Sequence, residues 1–337
     1  MPTAVPTAES IAVLGAGSWG TALAIQFARA GCTTRLWGRE VGAVAALARD
    51  RRNTRYLPEA VFPDTLTVTA SLHAALAGSR DILLAVPSHA FRDLLTAIRP
   101  LLVAGQRVAW ATKGFELSSG KLPHQVARDV LGGQIPVAVL SGPTFAREVG
   151  AGLPTAMTIA SADGTFAAEL AKSLSGLNFR AYTSEDIMGV EVGGAVKNVL
   201  AIGAGISDGI GFGANTRVAL ISRGLAEMTR LGVALGAQRE TFMGLAGLGD
   251  LVLTSTDDQS RNRRFGLALA HGKTPQQALA EIGQVVEGAL AASAVFAVAQ
   301  RVGVDMPISE AIYRVVHEDL PIRVAVEALM SREVRAE

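Results

Sequence analysis

A glycine-rich turn near the amino terminus constrains the fold of this chain more than any other feature. The apolar run Ile11–Leu14 is typical of a buried strand, and the turn Gly15–Gly20 (GAGSWG) follows it directly. A helical pattern over Thr21–Ala30 ends at Gly31, and Thr33–Trp37 predicts a second strand. A strand, a GxGxxG turn and a helix in this order are the context in which the dinucleotide-binding fingerprint occurs.

Each glycine of that turn has its own physical role. Gly15 permits the tight turn, Gly17 lets a pyrophosphate approach the backbone, and Gly20 lets the helix pack close to the strand. The helix N-terminus presents free N–H groups to the phosphates. The alternative is a glycine-rich turn without a ligand, which the surrounding strand–turn–helix–strand order disfavours.

The end of the second strand indicates which dinucleotide binds. An NAD-selective site places an acidic residue there, to accept a hydrogen bond from the ribose 2′-hydroxyl. Here Arg39 stands at that position, and its planar guanidinium suits a 2′-phosphate. The sequence therefore favours NADP(H). Glu40 follows and leaves NAD(H) open as a second cofactor, and the alternative for Arg39 is a solvated residue near a helix start.

A second informative feature is a cation in an apolar segment. Between Ile187 and Ile206 the only charged side chains are Glu191 and Lys197. If the segment is a helix, Gly193 and Gly194 lie beside Lys197 and leave room for another molecule. Desolvation there would lower the pKa of the lysine towards a value suited to proton transfer. The alternative is a lysine that extends from a buried helix to water.

Composition excludes several classes of protein. The chain has 337 residues, enough for two domains, and its net charge of +1 is too small for a nucleic-acid or anionic-membrane binder. The single cysteine, Cys32, fits a reducing compartment. Residues 1–10 lack the features of a signal peptide, no apolar run reaches membrane-spanning length, and no His/Cys cluster predicts a metal site. These observations predict a cytoplasmic protein without membrane insertion.

Strand-like and helical patterns alternate in the first half of the chain, and only helical patterns follow. The predicted strands beyond the first two are Leu66–Thr69, Asp81–Val86, Arg107–Trp110, Pro136–Leu140, Thr155–Ala160 and Phe179–Tyr182. The predicted helices include Ser88–Ile98, Thr165–Leu174, Val218–Leu235, Arg261–His271, Pro275–Ile282, Glu287–Val302 and Ile308–Val316. We expect an α/β fold. A Rossmann-like, doubly wound parallel sheet over 1–185 would precede an all-α domain over 186–337, with the active site in a cleft between them.

Several motifs resemble one known family along nearly the whole chain, the bacterial NAD(P)-dependent glycerol-3-phosphate dehydrogenases. The matching stretches begin at Gly15 (GAGSWGTAL), Ala85 (AVPS), Ala111 (ATKG), Leu140 (LSGPTFA), Gly193 (GGAVKNV), Gly247 (GLGDL), Ser260 (SRNRRFG) and Val285 (VVEG). The resemblance implies reversible reduction of dihydroxyacetone phosphate to sn-glycerol 3-phosphate, a precursor of glycerophospholipids. Lys197 would be the general acid/base, Lys113 a second catalytic lysine that touches substrate and cofactor, and Asp250 a catalytic and substrate-binding carboxylate. Without the resemblance, Lys113 would be an ordinary surface lysine and Asp250 a helix N-cap.

The resemblance also implies the binding residues. Substrate contacts are expected from Lys113, Gly142, Thr144, Lys197, Asp250, Ser260, Arg261 and Asn262. Cofactor contacts are expected from Gly15, Gly17, Ser18, Trp19, Gly20, Arg39, Tyr56, Lys113, Ala146, Arg261, Val285 and Glu287. A helix that begins at Ser260 would add free N–H groups to a phosphate clamp made by Ser260, Arg261 and Asn262.

Two alternatives remain at this point. A β-hydroxyacid dehydrogenase of the same architecture would need a carboxylate-binding set in place of the phosphate clamp. A non-catalytic NADP(H)-binding regulator would not need the two lysines and the aspartate. The apolar C-terminal helices allow a homodimer, or they complete the core of a monomer.

Overall fold

The computed structural model describes residues 9–333. Residues 1–8 and 334–337 lie outside the described residues. The expectation of no signal peptide depends largely on residues 1–8. The chain divides into two compact units. The first contains Met1–Thr112 and His124–Ile187, and the second contains Lys113–Pro123 and Met188–Glu337.

The first unit is built from strands that alternate with helices. Its strands are β1 (Ser10–Leu14), β2 (Thr33–Trp37), β3 (Arg52–Asn53), β4 (Leu57–Val61), β5 (Leu66–Thr69), β6 (Asp81–Leu84), β7 (Arg107–Trp110), β8 (Val137–Ser141), β9 (Thr155–Ala160) and β10 (Phe179–Ser184). Its helices are α1 (Ser18–Arg29), α2 (Val41–Asp50), α3 (Leu72–Leu76), α4 (Phe91–Ile98), α5 (Pro123–Leu131), α6 (Ala146–Ala151) and α7 (Gly164–Leu174).

Eight of these strands form one sheet, in the order β10-β9-β8-β7-β6-β1-β2-β5. All pairs from β5 to β8 are parallel, and the strand order reverses beside β1, as in a doubly wound sheet. The predicted Rossmann-like fold is confirmed. The pair β8–β9 is antiparallel, so β9 and β10 run against the other strands, which the expectation of a parallel sheet did not include.

The central strands form because their side chains are apolar on both faces. Every residue of β6 and β7 is buried, and the core of the unit gathers side chains from the sheet and from α1 and α7. Two charged residues inside these strands, Asp81 and Arg107, pair with each other at 2.7 Å between Oδ1 and Nε. That pairing explains how buried charges are tolerated there.

A small hairpin, β3–β4, was not predicted. It is antiparallel and lies outside the large sheet. Its Asn53 side chain donates to the carbonyl oxygen of Ala16 at 3.2 Å and to the hydroxyl of Thr21 at 2.8 Å. The hairpin is therefore tied to the glycine turn at the start of α1.

The second unit is helical, as predicted for the C-terminal part of the chain. Its helices are α8 (Ile187–Gly209), α9 (Ala214–Leu235), α10 (Asp250–Thr256), α11 (Arg261–Ala270), α12 (Pro275–Ile282), α13 (Glu287–Val302), α14 (Pro307–His317) and α15 (Ile322–Met330). The helix α8 has the length and hydropathy of a membrane span, but 89% of its apolar window is buried inside the protein. It is the core helix of this unit.

The segment Lys113–Pro123 comes from the first half of the sequence but packs with the second unit. Phe115 and Leu122 lie in the same hydrophobic cluster as the buried face of α8. This segment brings Lys113 into the helical unit. A single domain boundary near residue 185 would assign Lys113 to the first unit instead.

Candidate active site

The glycine turn of the first unit has the geometry of an anion cradle. Gly15 has a φ of +125°, and a Cβ at Gly20 would lie 1.9 Å from the carbonyl oxygen of Gly15, so neither position accepts a larger residue. A Cβ at Gly17 would meet nothing within 4 Å. Gly17 is also the N-cap of α1 and makes no side-chain cap, which leaves the N–H groups of the first turn free for a phosphate.

Beside that cradle, Trp19 has its indole Nε1 buried without a hydrogen-bond partner among the residues that the structure describes. Such an orphaned donor is costly unless a ligand or water accepts from it. Ser18, the first residue of α1, is partly exposed next to it. The turn, the uncapped helix start and the orphaned donor fit a bound dinucleotide.

Arg39 and Tyr56 lie on loops of the same unit. Arg39 follows β2, its side chain is 83% exposed, and it forms an ion pair with the exposed Glu40, at 3.3 Å between Nε and Oε1. Tyr56 lies in the β3–β4 turn, where the guanidinium of Arg55 stands 5.2 Å from the centre of its ring. A phosphate can replace Glu40 as the partner of the Arg39 guanidinium, because that ion pair is exposed. The contacts of Tyr56 do not indicate a ligand.

The turn after β8 is tight. A Cβ at Gly142 would come 2.8 Å from the Cα of Met157, so only glycine fits there. Thr144 donates its hydroxyl to the carbonyl oxygen of Gly142 at 3.2 Å, and Ala146 begins α6. The turn is thus rigid, and Thr144 and Ala146 are partly exposed beside it.

In the second unit two predicted lysines converge on the carboxylate of a third predicted residue, Asp250. Lys113 Nζ lies 2.7 Å from Asp250 Oδ2, and Lys197 Nζ lies 2.6 Å from Asp250 Oδ1. Lys197 also donates to the hydroxyl of Thr254 at 2.8 Å. The side chains are 12%, 8% and 1% exposed for Lys113, Lys197 and Asp250, so the group is nearly dry. The alternatives of a surface Lys113, a Lys197 that extends to water and a capping Asp250 are wrong.

The backbone before Asp250 explains how the carboxylate reaches the lysine. Leu245–Gly249 forms a single π-helical turn that leads into α10. A Cβ at Gly193 of α8 would lie 2.5 Å from the carbonyl oxygen of Ala246, so this turn is packed directly on the helix backbone. The room expected beside Gly193 is therefore filled by the chain itself, and it brings Asp250 to Lys197.

Burial and the neighbouring charges shift two pKa values in this group. Burial lowers the pKa of Lys197 most, Asp250 raises it, and Lys113 lowers it, with the result that it falls from 10.5 to about 8. Burial raises the pKa of Asp250, but the ammonium groups of Lys113 and Lys197 outweigh burial and hold it below its ordinary value. Near neutral pH the carboxylate is ionised and Lys197 carries a proton that it can release.

The start of α11 offers a second anion site. Ser260 is the N-cap, and its hydroxyl accepts from the N–H of Arg263 at 3.2 Å, as predicted for a helix that begins there. Arg261, the first residue of the helix, is partly exposed, and its guanidinium has no ion-pair partner within residues 9–333. A free guanidinium at a helix N-terminus suits a phosphate.

The side-chain amide of Asn262, expected to bind phosphate, already makes hydrogen bonds within the protein through both its nitrogen and its oxygen. Its Nδ2 donates to Asn198 Oδ1 at 2.8 Å, and its Oδ1 accepts from the N–H of Gly288 at 2.9 Å. Asn198 donates in turn to Glu287 Oε2 at 3.3 Å. These bonds join α8, α11 and the start of α13. Val285, two residues before α13 begins, is exposed.

Sequence reasoning missed three residues of these sites, namely Asn53, Asn198 and Thr254. Thr254 was detectable, because it lies four residues after Asp250 and shares its helix face. Asn198 is an uncharged polar residue in the apolar segment Ile187–Ile206, but the sequence does not indicate its partners. The contacts of Asn53 depend on a hairpin that the sequence pattern did not indicate.

The chain matches known proteins of one family in both of its units. The profile of the NAD-dependent glycerol-3-phosphate dehydrogenase N-terminus matches residues 10–167, and that of the C-terminus matches residues 186–327. Glycerol-3-phosphate dehydrogenase [NAD(P)+] of Pseudoalteromonas translucida is 57% identical over 330 residues, which is 98% of each chain. The chain belongs to the NAD-dependent glycerol-3-phosphate dehydrogenase family.

Other members of the family agree. The Photobacterium profundum glycerol-3-phosphate dehydrogenase [NAD(P)+] is 54% identical over 334 residues, 99% of each chain. The crystal structure of glycerol-3-phosphate dehydrogenase from Coxiella burnetii superposes with a TM-score of 0.93 at 49% identity, and covers 96% of this chain and 99% of its own. The family therefore extends over both units described above.

Proposed function

We propose that this protein is an NAD(P)-dependent sn-glycerol-3-phosphate dehydrogenase. It reduces dihydroxyacetone phosphate to sn-glycerol 3-phosphate, reversibly, with Lys197 as the general acid/base. The observation that carries this proposal is the buried group of Lys113, Asp250 and Lys197, because a dinucleotide-binding protein without catalysis has no use for it. Family membership supplies the substrate, since the relatives bear the name of this activity.

The chemistry divides between the cofactor and the chain. NAD(P)H, when bound, supplies the hydride for the C2 carbonyl carbon. As negative charge develops on the C2 oxygen, Lys197 donates a proton to it, and water returns a proton to the lysine afterwards. In the reverse direction the neutral amine of Lys197 accepts the proton of the C2 hydroxyl. A pKa of about 8 lets the lysine serve in both directions near neutral pH.

The other two residues of the group hold Lys197 and the substrate. Asp250 keeps the ammonium in place at 2.6 Å and can accept a hydrogen bond from a substrate hydroxyl. Lys113 adds a second positive charge where the oxyanion forms, and the low exposure of the group strengthens that attraction. Ser260, Arg261 and Asn262 bind the phosphate in this proposal, together with Gly142 and Thr144 as further substrate contacts.

The cofactor assignments follow the same scheme. Residues 1–185 form the dinucleotide-binding domain, where the turn Gly15–Gly20 holds the pyrophosphate and Arg39 reads the 2′-phosphate of NADP(H). Residues 186–337 form the catalytic domain, to which the segment Lys113–Pro123 contributes Lys113. Tyr56, Lys113, Ala146, Arg261, Val285 and Glu287 are the remaining proposed cofactor contacts.

The setting of the enzyme is also proposed. It acts in the cytoplasm and supplies glycerophospholipid synthesis. Exposed apolar side chains on α15, such as Val324 and Met330, support a homodimer, and light scattering of the purified protein measures its mass directly.

The decisive assay follows NADPH and NADH absorbance with dihydroxyacetone phosphate, beside unphosphorylated dihydroxyacetone and a panel of β-keto acids. We expect rapid oxidation with the phosphorylated ketone alone. Rapid turnover of a β-keto acid in its place would identify a β-hydroxyacid dehydrogenase. Lys197→Ala should abolish turnover while NADPH still binds; weakened NADPH binding with normal turnover at saturation would remove Lys197 from the catalytic role.

A further inference from the structure

Helix α8, which carries Lys197, packs directly against α11, whose first residues belong to the proposed phosphate clamp. At this contact no side chain lies between the two helix backbones. A Cβ at Gly205 of α8 would lie 2.0 Å from the carbonyl oxygen of Arg263 on α11. A Cβ at Gly266 of α11 would lie 2.1 Å from the carbonyl oxygen of Ile202 on α8. Such direct backbone contacts fix the distance between the two helix axes, but they do not by themselves set the rotation of α11.

A buried carboxylate near the end of α8 joins the two helices. Asp208 accepts from Arg263 Nη2 at 2.7 Å, and also from Arg217 Nη1 of α9 at 2.9 and 3.0 Å. The Asp208 and Arg263 side chains are 10% and 11% exposed, so little water reaches either charge. Arg263 also pairs with Asp258, just before α11.

Arg263 therefore differs from Arg261, although both lie in the first turn of α11. The guanidinium of Arg263 is neutralised by two carboxylates, whereas Arg261 has no ion-pair partner within residues 9–333. If Asp208 lost its charge, Arg263 would become a largely buried cation with one partner, and it would compete for the phosphate or turn the helix start towards Asp258.

The substrate requires a fixed spacing between these helices. In dihydroxyacetone phosphate the C2 carbonyl and the phosphate are separated by one methylene and one oxygen. A phosphate at the start of α11 therefore determines where the carbonyl lies relative to Lys197 on α8. We propose that Asp208 is a positioning residue, which acts through Arg263 to hold α11 in the rotation that places its start at the distance from Lys197 that this substrate needs. The inference rests on the proposed function.

The test compares steady-state kinetics of Asp208→Asn with those of the wild-type enzyme, with NADPH and dihydroxyacetone phosphate. We expect KM for the phosphorylated ketone to rise ~10- to 100-fold while kcat changes less than about threefold, because the clamp is displaced and the lysine group is intact. A merely structural role would lower kcat in proportion to the inactive fraction and leave KM unchanged. That result, or unchanged kinetics, would overturn the proposal.

Two further variants keep the test decisive. Arg217→Ala removes the other partner of the same carboxylate and leaves the Asp208–Arg263 pair, so its KM should stay within about twofold of the wild-type value. A rise in KM equal to that of Asp208→Asn would overturn the proposal. If Asp208→Asn does not fold, Asp208→Glu retains the charge and displaces it by one methylene, and the same rise in KM is expected.

The wild-type measurement separates the two hypotheses. If the wild-type enzyme does not oxidise NADPH with dihydroxyacetone phosphate, the proposed function fails. If it does, and Asp208→Asn retains its KM, only the role of Asp208 fails.

Discussion

We predict that the negative charge of Asp250 sets the pH range in which Lys197 can donate a proton, because it raises the pKa of the lysine. Above its pKa the lysine loses the proton that it must donate, so kcat/KM for reduction should fall as pH rises through about 8. Oxidation of sn-glycerol 3-phosphate needs the neutral amine, so its kcat/KM should rise over the same interval. The apparent pKa belongs to the group of Lys113, Asp250 and Lys197 rather than to one residue alone.

The magnitude follows from the geometry. Asp250 Oδ1 lies 2.6 Å from Lys197 Nζ, in a site where the carboxylate is 1% exposed. With the carboxylate charge centred about 4 Å from the ammonium and an effective dielectric constant of about 20, the attraction is about 4 kcal/mol, or about three pKa units. In Asp250→Asn the alkaline fall of the reduction profile should therefore move to about pH 5, and kcat/KM at pH 7 should drop ~100-fold from protonation alone.

The assay is the initial rate of NADPH oxidation between pH 5 and 10, at dihydroxyacetone phosphate concentrations well below KM. Thr254→Val is the matched control, because it removes a neutral hydrogen bond to the same ammonium and no charge. Its profile should move by less than about one unit. An Asp250→Asn enzyme with a lower plateau but an alkaline fall still near pH 8 would refute the electrostatic role and leave the carboxylate as a substrate contact only.

Three further predictions follow from other parts of the structure. Arg39→Asp should lower the ratio of kcat/KM for NADPH to that for NADH ~10- to 100-fold, since a charge-assisted contact to the 2′-phosphate is lost; an unchanged ratio would mean that Arg39 does not read that phosphate. Glu227→Ala should lower the free energy of unfolding in urea by ~2–4 kcal/mol, because the buried carboxylate accepts from two N–H groups at the start of α14; Glu318→Ala, in an exposed pair, should cost less than about 0.5 kcal/mol. Gly193→Ala should lower kcat without weakening NADPH binding, because its methyl group would displace the turn before Asp250, whereas Gly213→Ala, with open space around it, should be tolerated. Equal activity of the two glycine variants would contradict the packing argument.

The sequence predicted the large sheet well because its central strands are buried on both faces. Apolar runs such as Ile82–Leu84 and Val108–Trp110 each follow a charged residue, and the predicted strands Asp81–Val86 and Arg107–Trp110 match the observed bounds within two residues. The direction of each strand was harder to predict from the sequence than its position. The residues between Ser141 and Thr155 are enough for either a parallel or an antiparallel return, so the reversal of β9 has no local signature.

The candidate site was predicted as residue identities rather than as contacts. The resemblance named Lys113, Asp250 and Lys197, but the pairing of both lysines with one carboxylate depends on long-range packing. Lys113 reaches the helical unit because Phe115 and Leu122 bury themselves there, and nothing in a local pattern distinguishes that arrangement from a surface loop. The pKa of Lys197 was likewise beyond sequence, since burial and Asp250 act in opposite directions.

The direct backbone contacts of α8 have a consequence for how this protein can vary. A side chain that clashes with another side chain can be accommodated when the neighbour becomes smaller. At Gly193, Gly205 and Gly266 the neighbour is a carbonyl oxygen, which every residue type possesses. No second substitution can relieve a clash there, so related sequences should retain small residues at these positions independently of what surrounds them. Covariation between homologues, which reveals most helix contacts, should therefore give no signal at the contacts that align Lys197 on α8 with the start of α11.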